Sequence, residues 1–155
     1  MHTIQEWKNH IIFWAGAISI GLAAYAFAVG SEYMNQLHHD ITAYSPLLPL
    51  IIAPAGLALV VYITHRFFSG SQGSGIPQTI AALEFKDDAI RDQLLSLRIA
   101  LGKIPLTLVG LLAGASTGRE GPTVQVGAAI MHSLGRWVRL PSHDMERGLI
   151  LAGGA

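Results

Sequence analysis

Ser116-Thr117-Gly118-Arg119-Glu120-Gly121-Pro122-Thr123-Val124-Gln125 sets an arginine and a glutamate in the middle of an otherwise apolar run from Ile104 to Leu134. A carboxylate at bilayer depth costs at least about 2.5–3.5 kcal/mol even on the mild insertion scales, so an ionisable residue there is a functional candidate. Gly118 and Gly121 free the backbone to turn, and Pro122 suits the first position of a helix, where its missing N–H loses nothing. The pattern predicts a helix from about Pro122, with free N–H groups near Thr123, Val124 and Gln125. Such an end carries about half a positive charge and binds anions. Glu120, just before it, is a tethered anion beside an anion site.

The competing reading is a polar loop between two spans, with Arg119 and Glu120 simply solvated. The flanking apolar runs, Ile104–Gly118 and Gly121–Gly135, are 15 residues each. As helices they reach roughly 22 Å, short of a hydrocarbon core of about 30 Å. Two short, Gly/Pro-interrupted segments abutting a charged pair fit broken helices that meet inside a membrane better than complete spans.

Composition agrees with a membrane setting. Of 155 residues 51% are hydrophobic and 13% charged, with formal net charge +0. A soluble domain carries about a quarter charged residues. No basic excess points to nucleic acid, and the absence of cysteine excludes a disulfide framework or a cysteine zinc site.

Ile11–Val29 is uncharged for 19 residues and long enough to span. A secretory signal is the alternative, with Lys8 as its basic region, Ile11–Ala23 as its apolar core, and Ala24-Tyr25-Ala26 or Ala26-Phe27-Ala28 as its cleavage site. The apolar run continues through both sites, which favours the span. Glu32–Asp40 reads as an external loop, and its adjacent His38 and His39 point apart rather than toward one metal. Ile41–Thr64 is the second span, with its helix starting near Pro46 or Leu47. The polar region 65–97 holds Arg66, Lys86 and Arg91, with Arg98 just after it, while the 30–40 loop holds no lysine or arginine. By the positive-inside rule the N-terminus and the 65–98 region are cytoplasmic.

Gly70-Ser71-Gln72-Gly73-Ser74-Gly75-Ile76-Pro77-Gln78 reads alone as a flexible linker. The later Gly-turn-Pro motif changes that. Pro77 also sits where a helix begins, with Ser74 and the amides of Gly75 and Ile76 capping its positive end. Two helix N-termini converging near midplane make a dehydrated anion site. Gly110, Gly114 and Gly118 are spaced by four and read as one smooth packing face. Lys103 reads as a side chain that snorkels to the cytoplasmic surface, with a role toward the anion path as the alternative. His132 reads as a packed or interfacial histidine. Arg136, Arg139, Asp144, Glu146 and Arg147 form a polar junction, and Gly148–Ala155 begins an apolar run too short to span, so the chain reads as incomplete.

Gly73-Ser74-Gly75-Ile76-Pro77 followed by Gly118-Arg119-Glu120-Gly121-Pro122, between apolar segments, resembles the chloride channel and chloride/proton antiporter (CLC) family. Lys103 and the run Arg119 to Ala128 match as well. The resemblance covers essentially the whole chain. It implies an all-α polytopic membrane protein with broken and short re-entrant helices. Residues 1–155 correspond to the first of two inverted-topology halves, a partial transmembrane domain. The implied function is chloride transport across the cell membrane, as a voltage-gated-type channel or a Cl−/H+ antiporter rather than as an enzyme. Chloride is then the ligand, with no cofactor or metal. Protons, the lipid bilayer, a complementary second half and a homodimer partner are implied too.

For matched positions, the resemblance implies that Ser74 donates its hydroxyl to chloride. Backbone groups of Gly75, Ile76, Gly121, Pro122, Thr123 and Val124 surround the path. Glu120 is the gating glutamate, which occupies an anion position when charged and carries the proton when neutral. Serine at position 74 resembles chloride-type members. The family commonly has glutamate where this chain has Gln78, a residue expected to point away from the ion. The family's second anion loop, its tyrosine opposite the serine and its internal proton-transfer glutamate have no counterpart in this chain. Two other readings stand beside this one: a truncated product that acts only with a complementary half, and a membrane-anchored enzyme using Glu120 as general acid/base, for which no nucleophile or partner carboxylate lies nearby in the sequence.

Overall fold

The computed structural model describes residues 2–85, 88–137 and 143–154. Its first helix, α1 (His2–Tyr44), continues through the segment expected as an external loop. The expected Glu32–Asp40 loop is therefore corrected, and the reason is local. That segment contains no proline, and polar side chains in it and at its two ends bond within the helix. Ser31 Oγ donates to the Phe27 carbonyl at 2.6 Å, Gln36 Nε2 to Asp40 Oδ1 at 3.2 Å, and Thr42 Oγ1 to the His38 carbonyl at 2.9 Å. At 43 residues α1 reaches roughly 64 Å, about twice a hydrocarbon core. Polarity in this stretch does not mark a turn.

The reversal comes at Ser45–Leu48, and α2 (Pro49–Phe67) starts later than the expected Pro46 or Leu47. Pro49 opens it, in the first turn where a proline needs no acceptor. Among the described residues, three helical stretches are long and apolar enough to cross a membrane: Phe13–Tyr44, Pro49–Phe67 and Ala89–Leu112. The first two expose Trp14, Leu22, Tyr25, Leu50 and Ile51, a surface suited to lipid rather than water.

Four shorter helices complete the described residues with α5: α3 (Ile76–Glu84), α4 (Asp88–Leu94), α6 (Glu120–Trp137) and α7 (His143–Gly154), α5 being Leu97–Leu112. Ser96 caps α5 by accepting the Ile99 N–H at 3.3 Å. At its other end the Gly114 N–H reaches Leu111 and the Ala115 N–H reaches Gly110, each at 2.9 Å, with Gly114 at φ 91°. That pair of bonds around a left-handed glycine is a Schellman stop. It corrects the expectation of one glycine face, because Gly114 ends the helix and Gly118 lies beyond it. The close approach on α5 is made instead by Gly102, where an added Cβ would strike the Phe68 ring.

The core gathers around α6. Ala128 and Ala129 are fully buried with Val126, Ala82, Leu95, Ala100 and Ile150. Gly127 and Gly153 bring α6 and α7 into backbone contact, with no room for a Cβ on either. Small residues that let backbones touch are how helices associate where lipid tails are as apolar as leucine. Of the polar residues singled out in the sequence, Lys86 and Arg139 lie outside the described residues.

Candidate functional site

The loop before α3 turns through three left-handed glycines, Gly70 (φ 103°), Gly73 (φ 77°) and Gly75 (φ 103°). Gly75 is the N-cap of α3, its carbonyl accepting both the Thr79 N–H and the Thr79 hydroxyl at 3.0 Å. No side chain caps this end. The expectation that Ser74 caps α3 is therefore corrected: a glycine at positive φ forms the cap, and Ser74 is left exposed.

The start of α6 lies directly against this turn. A Cβ on Gly121 would stand 2.5 Å from the Ser74 carbonyl oxygen, and one on Gly75 would stand 2.7 Å from the Gly121 carbonyl oxygen. Two glycines thus allow two helix N-termini to cross backbone to backbone. Helix α6 begins at Glu120, two residues before the expected start at Pro122, because the Thr123 N–H already donates to the Arg119 carbonyl at 3.1 Å. Pro122 falls in the first turn, where it still costs no bond. Helix geometry leaves the amides of Glu120 and Gly121 free here, while those of Thr123 and Val124 belong to the helical ladder. This corrects the picture of free amides at Thr123, Val124 and Gln125.

Ser74 and Glu120, far apart in sequence, line one cavity of about 650 Å³ together with Ile76, Gly121, Pro122, Lys103 and His65. Arg119 and Glu120 make no ion pair with each other among the described residues. Arg119 Nη1 instead reaches the Ala28 carbonyl of α1 at 3.4 Å.

Lys103 departs furthest from its sequence reading. It does not snorkel; it is 3% exposed, and its Nζ donates inward to the Gly73 carbonyl at 2.9 Å and to Gln125 Oε1 at 2.7 Å. Gln125 is wholly buried, and its Nε2 donates to the Leu94 carbonyl at 3.1 Å. One lysine and one glutamine therefore tie the α3 turn, the end of α4, α5 and α6 to one another. Gln78 Nε2 donates to the Gln72 carbonyl at 2.6 Å, bracing the same turn.

The far end of α3 is held by Arg91, fully buried, whose Nε donates to the Ala82 carbonyl at 3.1 Å and whose Nη2 donates to the Phe85 carbonyl at 2.9 Å. A cation at a helix C-terminus complements its negative end. The result is a short helix pinned with its positive end at the cavity. In the sequence Arg91 looked like one more cytoplasmic charge, and no local pattern marks it as a cap. A second cluster was missed too. His132 Nε2 meets Asp92 Oδ1 at 2.8 Å, and Arg136 bonds the other carboxylate oxygen, so α4 is clamped to α6. The spacing of His132 and Arg136 by one helical turn was the available signal. His38 Nδ1 donates to the Leu112 carbonyl at 3.0 Å rather than pairing with His39 on an ion. Among the described residues no cluster of three or more side chains is suited to hold a metal.

Comparison with known proteins bears on the same region. The family described as voltage gated chloride channel matches residues 55–155, which contain both glycine turns and every residue of the cavity wall named above. The chain is 29% identical over 143 residues to the H(+)/Cl(−) exchange transporter ClcA of Vibrio cholerae, covering 91% of this chain and 30% of that protein. It is 30% identical over 154 residues to the ClcA exchanger of Vibrio vulnificus, covering 94% of this chain and 32% of that protein. The chain thus spans about a third of the length of the curated relatives it matches. No solved structure matches it. With the family match extending over well more than half of its residues, and over both motifs that build the cavity, the chain belongs to the voltage-gated chloride channel family.

Proposed function

We propose that residues 1–155 form the first half of a chloride pathway through a cell membrane, operating as a channel or as a Cl−/H+ antiporter. The observation that carries this reading is the crossing of two helix N-termini at Gly75 and Gly121, beside one cavity that Ser74, Glu120 and Lys103 all line. Each N-terminus contributes about half a positive charge, and a buried lysine beside them adds to it. The site is therefore built for a small anion that must leave its water behind.

In this reading Ser74 donates its hydroxyl to chloride, and the amides of Gly75, Ile76, Glu120 and Gly121 complete the path from two sides. Thr123 and Val124 stand behind it in the first turns of α6. Glu120 is the gate: as a carboxylate it competes for the anion position, and once it takes a proton it leaves that position and carries the proton with it. The named relatives are proton-coupled exchangers, which supports the antiporter form of the proposal. The N-terminus lies on the cytoplasmic side, on the strength of Arg66, Arg91 and Arg98 against a Ser45–Leu48 turn without a basic residue.

Ser74 and Glu120 are exposed in this chain, and a further apolar groove of about 300 Å³ lies between α3, α6 and α7, lined by Ile76, Ile80, Leu83, Val124 and Ile150. A complementary half of inverted topology fills that groove and closes the anion path, and the complete protein pairs as a homodimer. The test is chloride efflux from liposomes holding this chain alone or together with a complementary half from a ClcA relative. Efflux is expected from the pair, with the chain alone at the level of empty liposomes. Equal efflux with and without the second half would contradict the two-half reading, and absence of efflux from the correctly inserted pair would contradict chloride transport.

A further inference from the structure

We infer that Gln125 is a positioning residue that keeps the charge of Lys103 uncompensated and aimed at the anion path. The inference rests on the chloride reading above and concerns how that site is made electropositive.

Lys103 is buried, yet it has no carboxylate partner among the described residues. Its two acceptors, the Gly73 carbonyl at 2.9 Å and Gln125 Oε1 at 2.7 Å, are both neutral oxygens. An ammonium has three donors, and no third acceptor meets this one among the described residues, although Lys103 lines the cavity that holds Ser74 and Glu120. A buried cation paired with a carboxylate loses most of its field at a distance, whereas one held by dipoles keeps it. The choice of glutamine follows from its neighbours. Gln125 must accept from Lys103 and donate to the Leu94 carbonyl at 3.1 Å, and an amide does both. A glutamate of the same size would set its second oxygen against the Leu94 carbonyl and neutralise the lysine.

Position adds to this. Gln125 Cβ and Oε1 lie 2.7 Å and 3.0 Å from where a Cβ on Gly75 would stand, so the Lys103–Gln125 bond sits directly against the α3 N-cap. The lysine's charge and the helix end therefore act on the same volume. In this arrangement Glu120 is the anion that contests the site, Lys103 the fixed cation that attracts either occupant, and Gln125 the residue that keeps the cation from being claimed by the protein itself.

The test is chloride titration calorimetry at about pH 7.5 on the protein completed by its second half, in three variants: Glu120→Gln, Glu120→Gln/Gln125→Glu and Glu120→Gln/Gln125→Met. Removing Glu120 takes the native gate out of the comparison, and His65 on the cavity wall is common to all three. Relative to the single variant, the Gln125→Glu double variant should bind chloride at least about tenfold more weakly, because its carboxylate, held ionised by the lysine, cancels that charge. The Gln125→Met double variant, similar in size but with neither charge nor hydrogen bonds, should lose clearly less. Equal affinities of the single and the Gln125→Glu variants would overturn the role of Gln125. So would an equal weakening by glutamate and by methionine, which is the mark of a merely structural residue. Failure of the single variant to bind chloride at all would overturn the chloride site itself, and the inference with it.

Discussion

Glu120→Gln is expected to abolish proton transport and to free chloride flux from its dependence on external pH. Glutamine keeps the size of the side chain but cannot ionise, so at every pH it resembles the protonated gate. A carboxylate tethered at the first residue of α6 sits where the helix N-terminus attracts negative charge, on the same cavity wall as Ser74 and Lys103. At an effective dielectric of about 20, unit charges about 4 Å apart interact by about 4 kcal/mol, enough for a tethered anion to exclude a free one at ordinary chloride concentrations. Taking that competitor away should raise chloride affinity by at least about tenfold. Paired recordings of chloride efflux and proton uptake from liposomes, across about pH 4 to 8, check both parts. A variant that kept the proton stoichiometry and pH profile of its parent would remove Glu120 from the gate.

Gly121→Ala should damage the anion path far beyond the size of the methyl it adds. The new Cβ would stand 2.5 Å from the Ser74 carbonyl oxygen and 3.0 Å from the Ser74 carbonyl carbon and Cβ. Most of that obstruction is backbone, and the backbone is held from behind by Lys103 on the Gly73 carbonyl at 2.9 Å. Relief requires the α3 turn to move off α6, at a cost of about 1–3 kcal/mol by the usual scale of overpacking. A displacement of about 1 Å at a positioned site costs on the order of a hundredfold in rate. Chloride flux should therefore fall by at least about tenfold while the protein still inserts, with a lowered thermal midpoint in detergent. Gly21→Ala is the matched control: nothing lies within 4 Å of that Cβ, and alanine is the better helix former. If Gly121→Ala and Gly21→Ala behaved alike, the two N-termini would not cross as described.

Which features could be read from the sequence follows from the range of the interactions behind them. The two glycine turns and their prolines were legible because backbone conformation and the missing proline donor act within a few residues. The charged pair in an apolar run was legible because burial of charge is costly wherever it occurs. The continuity of α1 was not, because Ser31, Gln36, Asp40 and Thr42 satisfy one another or the helix backbone at a spacing of four residues. Polar content therefore looked like a loop. Gly114 looked like part of a packing face because its spacing from Gly110 fits a helix, and a spacing does not reveal a left-handed stop. The inward turn of Lys103, the Arg91 cap and the Asp92–His132–Arg136 clamp were hidden for a different reason. Each joins separate segments of the chain, and the backbone carbonyls that hold Lys103 and Arg91 carry no sequence signal, while the one-turn spacing of His132 and Arg136 does not name Asp92 as their partner.

The anion position itself can be located. Bromide replaces chloride and scatters X-rays anomalously, so crystals of the Glu120→Gln protein, completed by its second half and grown in bromide, report directly where the anion sits. The account predicts an anomalous peak in the cavity shared by Ser74 and Lys103, within hydrogen-bonding reach of the Ser74 hydroxyl and facing the crossed starts of α3 and α6. Bromide found elsewhere in the protein, with that cavity empty of anomalous signal, would contradict it.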